Sequence, residues 1–257
     1  MLLTMPIHPV EVIEQNNLGV EFHITMDDRN PEKAKYAGLV KGLHLPYEGL
    51  NLAALDDAER NRSIQVMKDA IDAGAIYGVD KMVLHPCGVF EFKGEATGNY
   101  DRLFSALGEL ADYMAARRLV MCIENQMLRP RELRLVYGCS PEEWFGIQRD
   151  LGRQNVMLTF DSSHAAAYAA HFNTYEERLA AMREFLAKPE LIGRIHWSDA
   201  IISDQSSRYK DSHLVPGKGD LPLDFHRALL RHPAVNLLEQ HCTTDELLEG
   251  LDFIGKL

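Results

Sequence analysis

Paired cysteines are missing from this sequence. The four thiols, Cys87, Cys122, Cys139 and Cys242, form neither a CxxC pair nor a zinc-finger spacing. That excludes a disulfide scaffold and a zinc ribbon, and free thiols point to a reducing, cytoplasmic setting. Also missing is any excess of positive charge. Lys and Arg number 27 against 38 Asp and Glu, a formal net charge of −11. A non-specific nucleic-acid binder draws most of its affinity from phosphate neutralisation, so nucleic acid is a disfavoured partner here. No apolar run approaches the roughly 20 residues of a membrane span, and no membrane partner is expected. The opening MLLTMPIHPVEVIEQ has neither a basic n-region nor a long apolar core, so no signal peptide is expected. No Ser/Gly linker, charge block or low-complexity tract divides the 257 residues. One domain over 1–257 is therefore expected, a normal length for an α/β barrel.

What is present is an alternation of short apolar runs with longer stretches of helical periodicity. Strands are expected near 2–5, 19–23, 42–45, 81–85, 120–124, 156–161, 194–197 and 235–239. Unbroken hydrophobicity in KMVLHP, LVMCIEN and VMLTFD suits parallel strands covered on both faces. A helix is expected over 56–78, where Ile64, Met67, Ile71 and Ala75 recur every three or four residues before Gly78. Leu103, Leu107, Leu110 and Met114 mark another over 100–117. Ser140-Pro141-Glu142-Glu143 reads as a helix start, with Ser as N-cap and Pro at the first helical position. Helices over 224–231 and 243–257 complete the set. Eight βα units predict the α/β class and a (β/α)8 TIM barrel, with the first strand the weakest signal.

The ionisable residues fall where such a barrel places its chemistry. His44, His85, Glu124, Asp161, His196 and Glu239 each close an expected strand. An acid or imidazole at the end of an apolar run is costly to bury unless it is paired or binds metal. Parallel strand ends meet on one face of a barrel, so six scattered residues would converge on one pocket. Any one alone reads more simply as a capping residue or an arginine's partner; the coincidence across six strands favours a site. Mixed imidazole and carboxylate suits zinc, manganese or iron over calcium or magnesium. The loops add His164 in FDSSHA, and Asp211 with His213 in KDSHLVPGKGD. Met82, Met121 and Trp197 read as core, while His8, His23, His171, His226, His232 and His241 carry no expected metal role.

Seven segments then occur in order: HLPY at 44–47, LHP at 84–86, IEN at 123–125, FDSSHA at 160–165, IHWSDA at 195–200, DSHLVPGKGDLPLDF at 211–225 and LLE at 237–239. From about residue 19 to the end, the sequence resembles the xylose isomerase-like TIM-barrel superfamily. That superfamily includes sugar phosphate isomerases and epimerases, and endonuclease IV of AP endonuclease family 2. Resemblance to endonuclease IV implies three zinc ions. His44, His85 and Glu124 would hold the first. Glu124 would bridge to a second, completed by Asp161, His196 and Glu239. His164, Asp211 and His213 would hold the third. Resemblance to the simpler sugar isomerases implies one ion on Glu124, Asp161, His196 and Glu239. Tyr47 resembles a DNA-contacting tyrosine of endonuclease IV. The long DNA-penetrating loops of that enzyme have no counterpart: the first strand leads almost at once into a helix, and the loop after the second reads TMDDRN. The insertion NQMLRPRELRLVYG carries Arg129, Arg131 and Arg134 and resembles an isomerase-type lid. Its arginines suit a sugar phosphate or a DNA phosphate, or else a solvated helix face.

The expectation is a divalent-metal-dependent isomerase or epimerase of a small sugar or sugar phosphate. It would hold one to three ions, zinc first and manganese second. Glu124 and Glu239 would be the catalytic pair that moves a proton, and Tyr47, Arg129 and Arg131 would meet the substrate. The alternative is a phosphodiester hydrolase with a trinuclear zinc site, favoured by ligand count and opposed by loop anatomy and charge. A non-enzymatic metal- or sugar-binding protein is the third reading. Oligomeric state leaves no mark in the sequence.

Overall fold

The computed structural model describes residues 1–24, 31–130 and 133–257, and of 31–33 the backbone alone. Among the described residues the strands run β1 (Leu2–Thr4), β2 (Gly19–His23), β3 (Val40–His44), β4 (Lys81–Leu84), β5 (Val89–Phe92), β6 (Glu95–Ala96), β7 (Val120–Glu124), β8 (Arg134–Val136), β9 (Val156–Asp161), β10 (Ile192–His196) and β11 (Val235–Leu238). Eight of them form a closed parallel barrel in the order β1-β11-β10-β9-β7-β4-β3-β2. These are the eight runs expected from sequence, with ends shifted by a residue or two. The short first strand closes the ring, with Leu3 opposite Leu237 on one side and Gly19 on the other.

The helices are α1 (Val10–Gln15), α2 (Asp57–Gly74), α3 (Tyr100–Ala115), α4 (Pro141–Leu151), α5 (Ser162–Ala169), α6 (Tyr175–Glu184), α7 (Leu223–Arg231) and α8 (Thr244–Gly255). A 3-10 segment, Pro31–Leu39, precedes β3. Their ends follow local chemistry. The Ser140 hydroxyl accepts the Glu143 amide at 3.2 Å with Pro141 in the first turn. Helix α2 tightens into a 3-10 turn over Ala75–Tyr77 and stops at Gly78, whose φ of 68° is left-handed.

Between barrel and helices lies the core, anchored by the buried rings of Phe22, Trp144, Phe160, Phe185, Trp197 and Phe225. Both indoles are satisfied, Trp144 Nε1 donating to the Ile123 carbonyl at 2.9 Å and Trp197 Nε1 to His226 Nδ1 at 3.1 Å. Met82 and Met121 are also fully buried. Register sets the site. His23 pairs with His44 across β2 and β3, and Asp161 with His196 across β9 and β10, so all four side chains stand at the same rim.

The insertion after Glu124 forms no helix among its described residues. Its residues Arg134–Val136 pair antiparallel with β5, which also pairs with β6. This small sheet is built from the segments that leave the rim ends of β4 and β7. Arg131 and the TMDDRN segment at 25–30 lie outside the described residues. All four cysteines are free, with Cys87, Cys122 and Cys139 buried. No helix among the described residues is long and apolar enough to cross a membrane.

Candidate metal centre

Strand ends deliver His44, Glu124, Asp161 and His196, while His85 and Glu239 follow β4 and β11 by one residue. Asp161 also caps α5, accepting the His164 amide at 2.7 Å, which brings His164 over the same rim. Asp211 and His213 arrive on the loop between β10 and α7. That loop is pinned from within. The Ser163 hydroxyl accepts the amides of Ser212 and His213 at 2.9 and 3.2 Å, and the Asp199 carboxylate accepts those of Gly217, Gly219 and Leu221. His213 holds a positive φ of 38°, an uncommon conformation for a residue with a side chain.

Glu124 is the hub. Its Oε2 lies 3.1 Å from His44 Nε2 and 3.4 Å from His196 Nδ1; its Oε1 lies 3.2 Å from His164 Nδ1 and 3.5 Å from His85 Nε2. His196 Nδ1 is 2.7 Å from Glu239 Oε2 and 3.8 Å from Asp161 Oδ2. At the rim, Asp211 lies 3.5 Å from His164 Nε2 and 2.7 Å from His213 Nε2. Among the described residues, potential ligand atoms within 4.8 Å of one another fall into three sets: His44, His85 and Glu124; Glu124, Asp161, His196 and Glu239; and Asp161, His164 and His213. Two atoms bound to one zinc at about 2.1 Å each can be no more than about 4.2 Å apart, so small rotamer changes bring each set into bonding range. The structure thus gathers all nine residues. In the third set the carboxylate is Asp161, with Asp211 adjoining it on the outer side.

Two further observations fit a cation. Asp161 Oδ2 is buried without a hydrogen-bond partner, an arrangement that is costly unless something else satisfies it, and His196 Nδ1 and Glu239 Oε2 are buried beside it, 2.7 Å apart. Moreover, several imidazoles are held by one nitrogen with the other turned inward, as ligating histidines are. His44 Nδ1 faces the Leu45 carbonyl at 2.8 Å, and His213 Nδ1 faces the Ser198 hydroxyl at 3.1 Å.

Charge is balanced inside the cluster. Burial alone would raise the Glu124 and Glu239 pKa values, but facing imidazoles, His196 foremost, outweigh it and hold both carboxyls well below the usual range. Burial works against charged His164 and His196, yet the surrounding acids raise both well above the ordinary imidazole value. His213 is pushed to about 9 by Asp161 and Asp211 despite its burial. Asp161 moves the other way, its burial raising it to about 6.

Above the cluster opens a cavity of about 750 Å³, lined by Tyr47, Glu48, His85, Asp211, His213 and Glu239 among others. The Tyr47 ring stacks on His85 with centroids 4.3 Å apart. Arg129 is exposed and is not among the described residues lining the cavity; Arg134 lies in β8. His23 and His241, given no role from the sequence, both line it. His23 stacks on His44 at 4.5 Å, with its Nε2 3.5 Å from Glu239 Oε1. A smaller cavity of about 520 Å³ between Met1, Asn16, Gly19, Lys41 and Leu251 holds none of these groups.

Residues 11–254 match the sequence model of the xylose isomerase-like TIM barrel. The chain belongs to that family. Uncharacterized protein MJ1311 of Methanocaldococcus jannaschii is 26% identical over 180 residues, covering 70% of this chain and 56% of the relative. The match therefore spans little more than half that relative's length. Among solved structures of the fold, a D-tagatose 3-epimerase-like protein superposes with a TM-score of 0.73 at 22% identity, covering 100% of this chain and 99% of the other. Endonuclease IV from Thermus thermophilus gives 0.66 at 18% identity, covering 99% and 97%. The xylose isomerase-like barrel thus accommodates neighbours named for two different chemistries.

Proposed function

We propose that this protein is a divalent-metal-dependent isomerase or epimerase of a small sugar or sugar phosphate, with zinc the first choice of ion and manganese the second. The observation that carries this reading is the quartet Glu124, Asp161, His196 and Glu239 beneath a cavity of about 750 Å³. That volume falls within the range of about 300–1,000 Å³ typical of small-molecule sites. The epimerase-like structural neighbour supports the same reading. Free buried thiols fit a cytoplasmic setting.

A bound divalent ion would polarise a carbonyl or hydroxyl oxygen of the substrate. The chain's own groups handle the proton. Glu239 is ionised at neutral pH and sits at the cavity wall, where it can accept a proton from a substrate carbon. His23 lies against its Oε1 and can orient it. Glu124 also reaches the cavity, but both its oxygens face imidazoles, so it serves first to hold ions and second as the partner base. Tyr47 offers an apolar ring and a hydroxyl to the sugar.

The test is solvent exchange. The zinc- or manganese-loaded protein in deuterium oxide should wash deuterium into a carbon position of at least one member of a ketose and sugar-phosphate panel, read by proton NMR. Silence across the panel sinks the reading. A second reading, phosphodiester hydrolysis, is favoured by the additional set Asp161, His164 and His213 beside Asp211, which offers room for ions beyond the quartet. Incision of an abasic-site duplex without any exchange would move the assignment there.

A further inference from the structure

Glu21 is an acid in the middle of an apolar strand, fully buried inside the barrel, and belongs to none of the three ligand sets. A buried carboxylate is retained at high cost unless specific partners compensate it. The fold provides both space and charge for this one. Its neighbour across β2 and β3 is Gly42, where any Cβ would overlap the Glu21 carboxylate. The buried Arg194 places Nε 3.6 Å from Glu21 Oε2. The other oxygen, Oε1, lies 3.0 Å from His196 Nε2.

Side chains two apart on a strand share a face, so Arg194 and His196 both reach Glu21 from β10. The consequence lies at the far side of the imidazole. With Nε2 engaged below, His196 turns Nδ1 toward Glu239, Glu124 and Asp161 at 2.7, 3.4 and 3.8 Å. His44 and His213 are oriented the opposite way, held at Nδ1 by neutral oxygens. His196 is held at Nε2, and by a carboxylate.

We propose that Glu21 is a positioning residue that accepts the Nε2 proton of His196, fixes that tautomer, and aims Nδ1 at an ion held with Glu124, Asp161 and Glu239. The inference rests on the metal-centre reading above. A carboxylate behind the imidazole also makes Nδ1 a stronger donor to the ion. Arg194 offers Glu21 a buried countercharge from the same strand as His196, with its Nε 3.6 Å from Oε2.

The test uses the full chain and Zn²⁺ alone, titrated against a competing chelator, with nitrogen NMR of labelled histidine. In the zinc-loaded parent, His196 should show a protonated Nε2 and a metal-shifted Nδ1. Two double variants keep the core neutral. Glu21→Leu with Arg194→Met removes the acceptor and should weaken zinc binding at the quartet by about 10- to 100-fold. Glu21→Gln with Arg194→Gln keeps an acceptor and should lose less. Zinc on Nε2 of His196, or parental affinity in a folded leucine–methionine variant, overturns the proposal. If the variants do not fold, the parent's nitrogen spectrum decides alone. A parent that takes up no zinc defeats the metal-centre reading together with this one; unchanged variants beside a zinc-binding parent defeat this one only.

Discussion

At the scale of the residue, Glu124 carries most of the site's electrostatics, with four imidazoles within 3.5 Å of its two oxygens. Glu124→Gln removes the charge shared by two of the ligand sets. Zinc affinity should fall by more than the about 10- to 100-fold typical of outer-shell partners, while circular dichroism stays parental. Retained zinc content by mass spectrometry would contradict this. His44, His85, Glu124, Asp161, His196 and Glu239 were legible in the sequence because each interrupts an apolar run at its end. Glu21 was equally visible in GVEFH but passes for ordinary strand alternation. Its partners Gly42 and Arg194 come from strands distant in sequence, and no local pattern announces that meeting. His23 and His241 were set aside for the same reason: only barrel closure brings them to the cavity.

At the scale of the element, β3 is constrained from inside. Gly42→Ala drives a methyl group into the Glu21 carboxylate. Overpacking of this kind costs about 1–3 kcal/mol, readable as a lowered urea midpoint with unchanged slope. Ser140→Ala should remove about 1 kcal/mol by uncapping α4, with no effect on zinc affinity. An effect on zinc there would show that α4 is coupled to the rim. The barrel strands and the long helices were readable because each is specified by its own periodicity and caps. The small β5-β6-β8 sheet was not, since β8 finds its partner some forty residues upstream and its three residues are only half buried.

At the scale of the whole molecule, the cluster ties stability to pH and, on the proposed metal-centre reading, to bound metal. The raised His213, His164 and His196 contribute stability to the metal-free protein that is complete below about pH 6.5. For His213 it is lost as pH rises toward about 9. The depressed Glu124 and Glu239 have the opposite sign, contributing above their unfolded pKa values and failing as acid titrates them. Asp161, raised to about 6, opposes them, its own contribution being lost as pH rises from its unfolded value to about 6. Metal ligation requires neutral imidazoles and ionised carboxylates, so it grows stronger as protons leave. The melting-temperature gap between zinc-loaded and chelator-treated protein should therefore widen from pH 6.5 to 9 in scanning calorimetry. Zinc uptake at pH 7 should also release protons, seen as buffer-dependent heats in titration calorimetry. A gap that narrows with pH, or heats independent of buffer, would contradict the ligand assignment.

One carboxylate facing two ligand sets has a consequence for loading. On the proposed metal-centre reading, a first cation would draw on negative charge that a second also needs, so two ions would not be taken up as independent guests. Occupancy would then rise in steps at separate free concentrations, and a half-filled protein would be a distinct species whose reactivity need not match that of the full one.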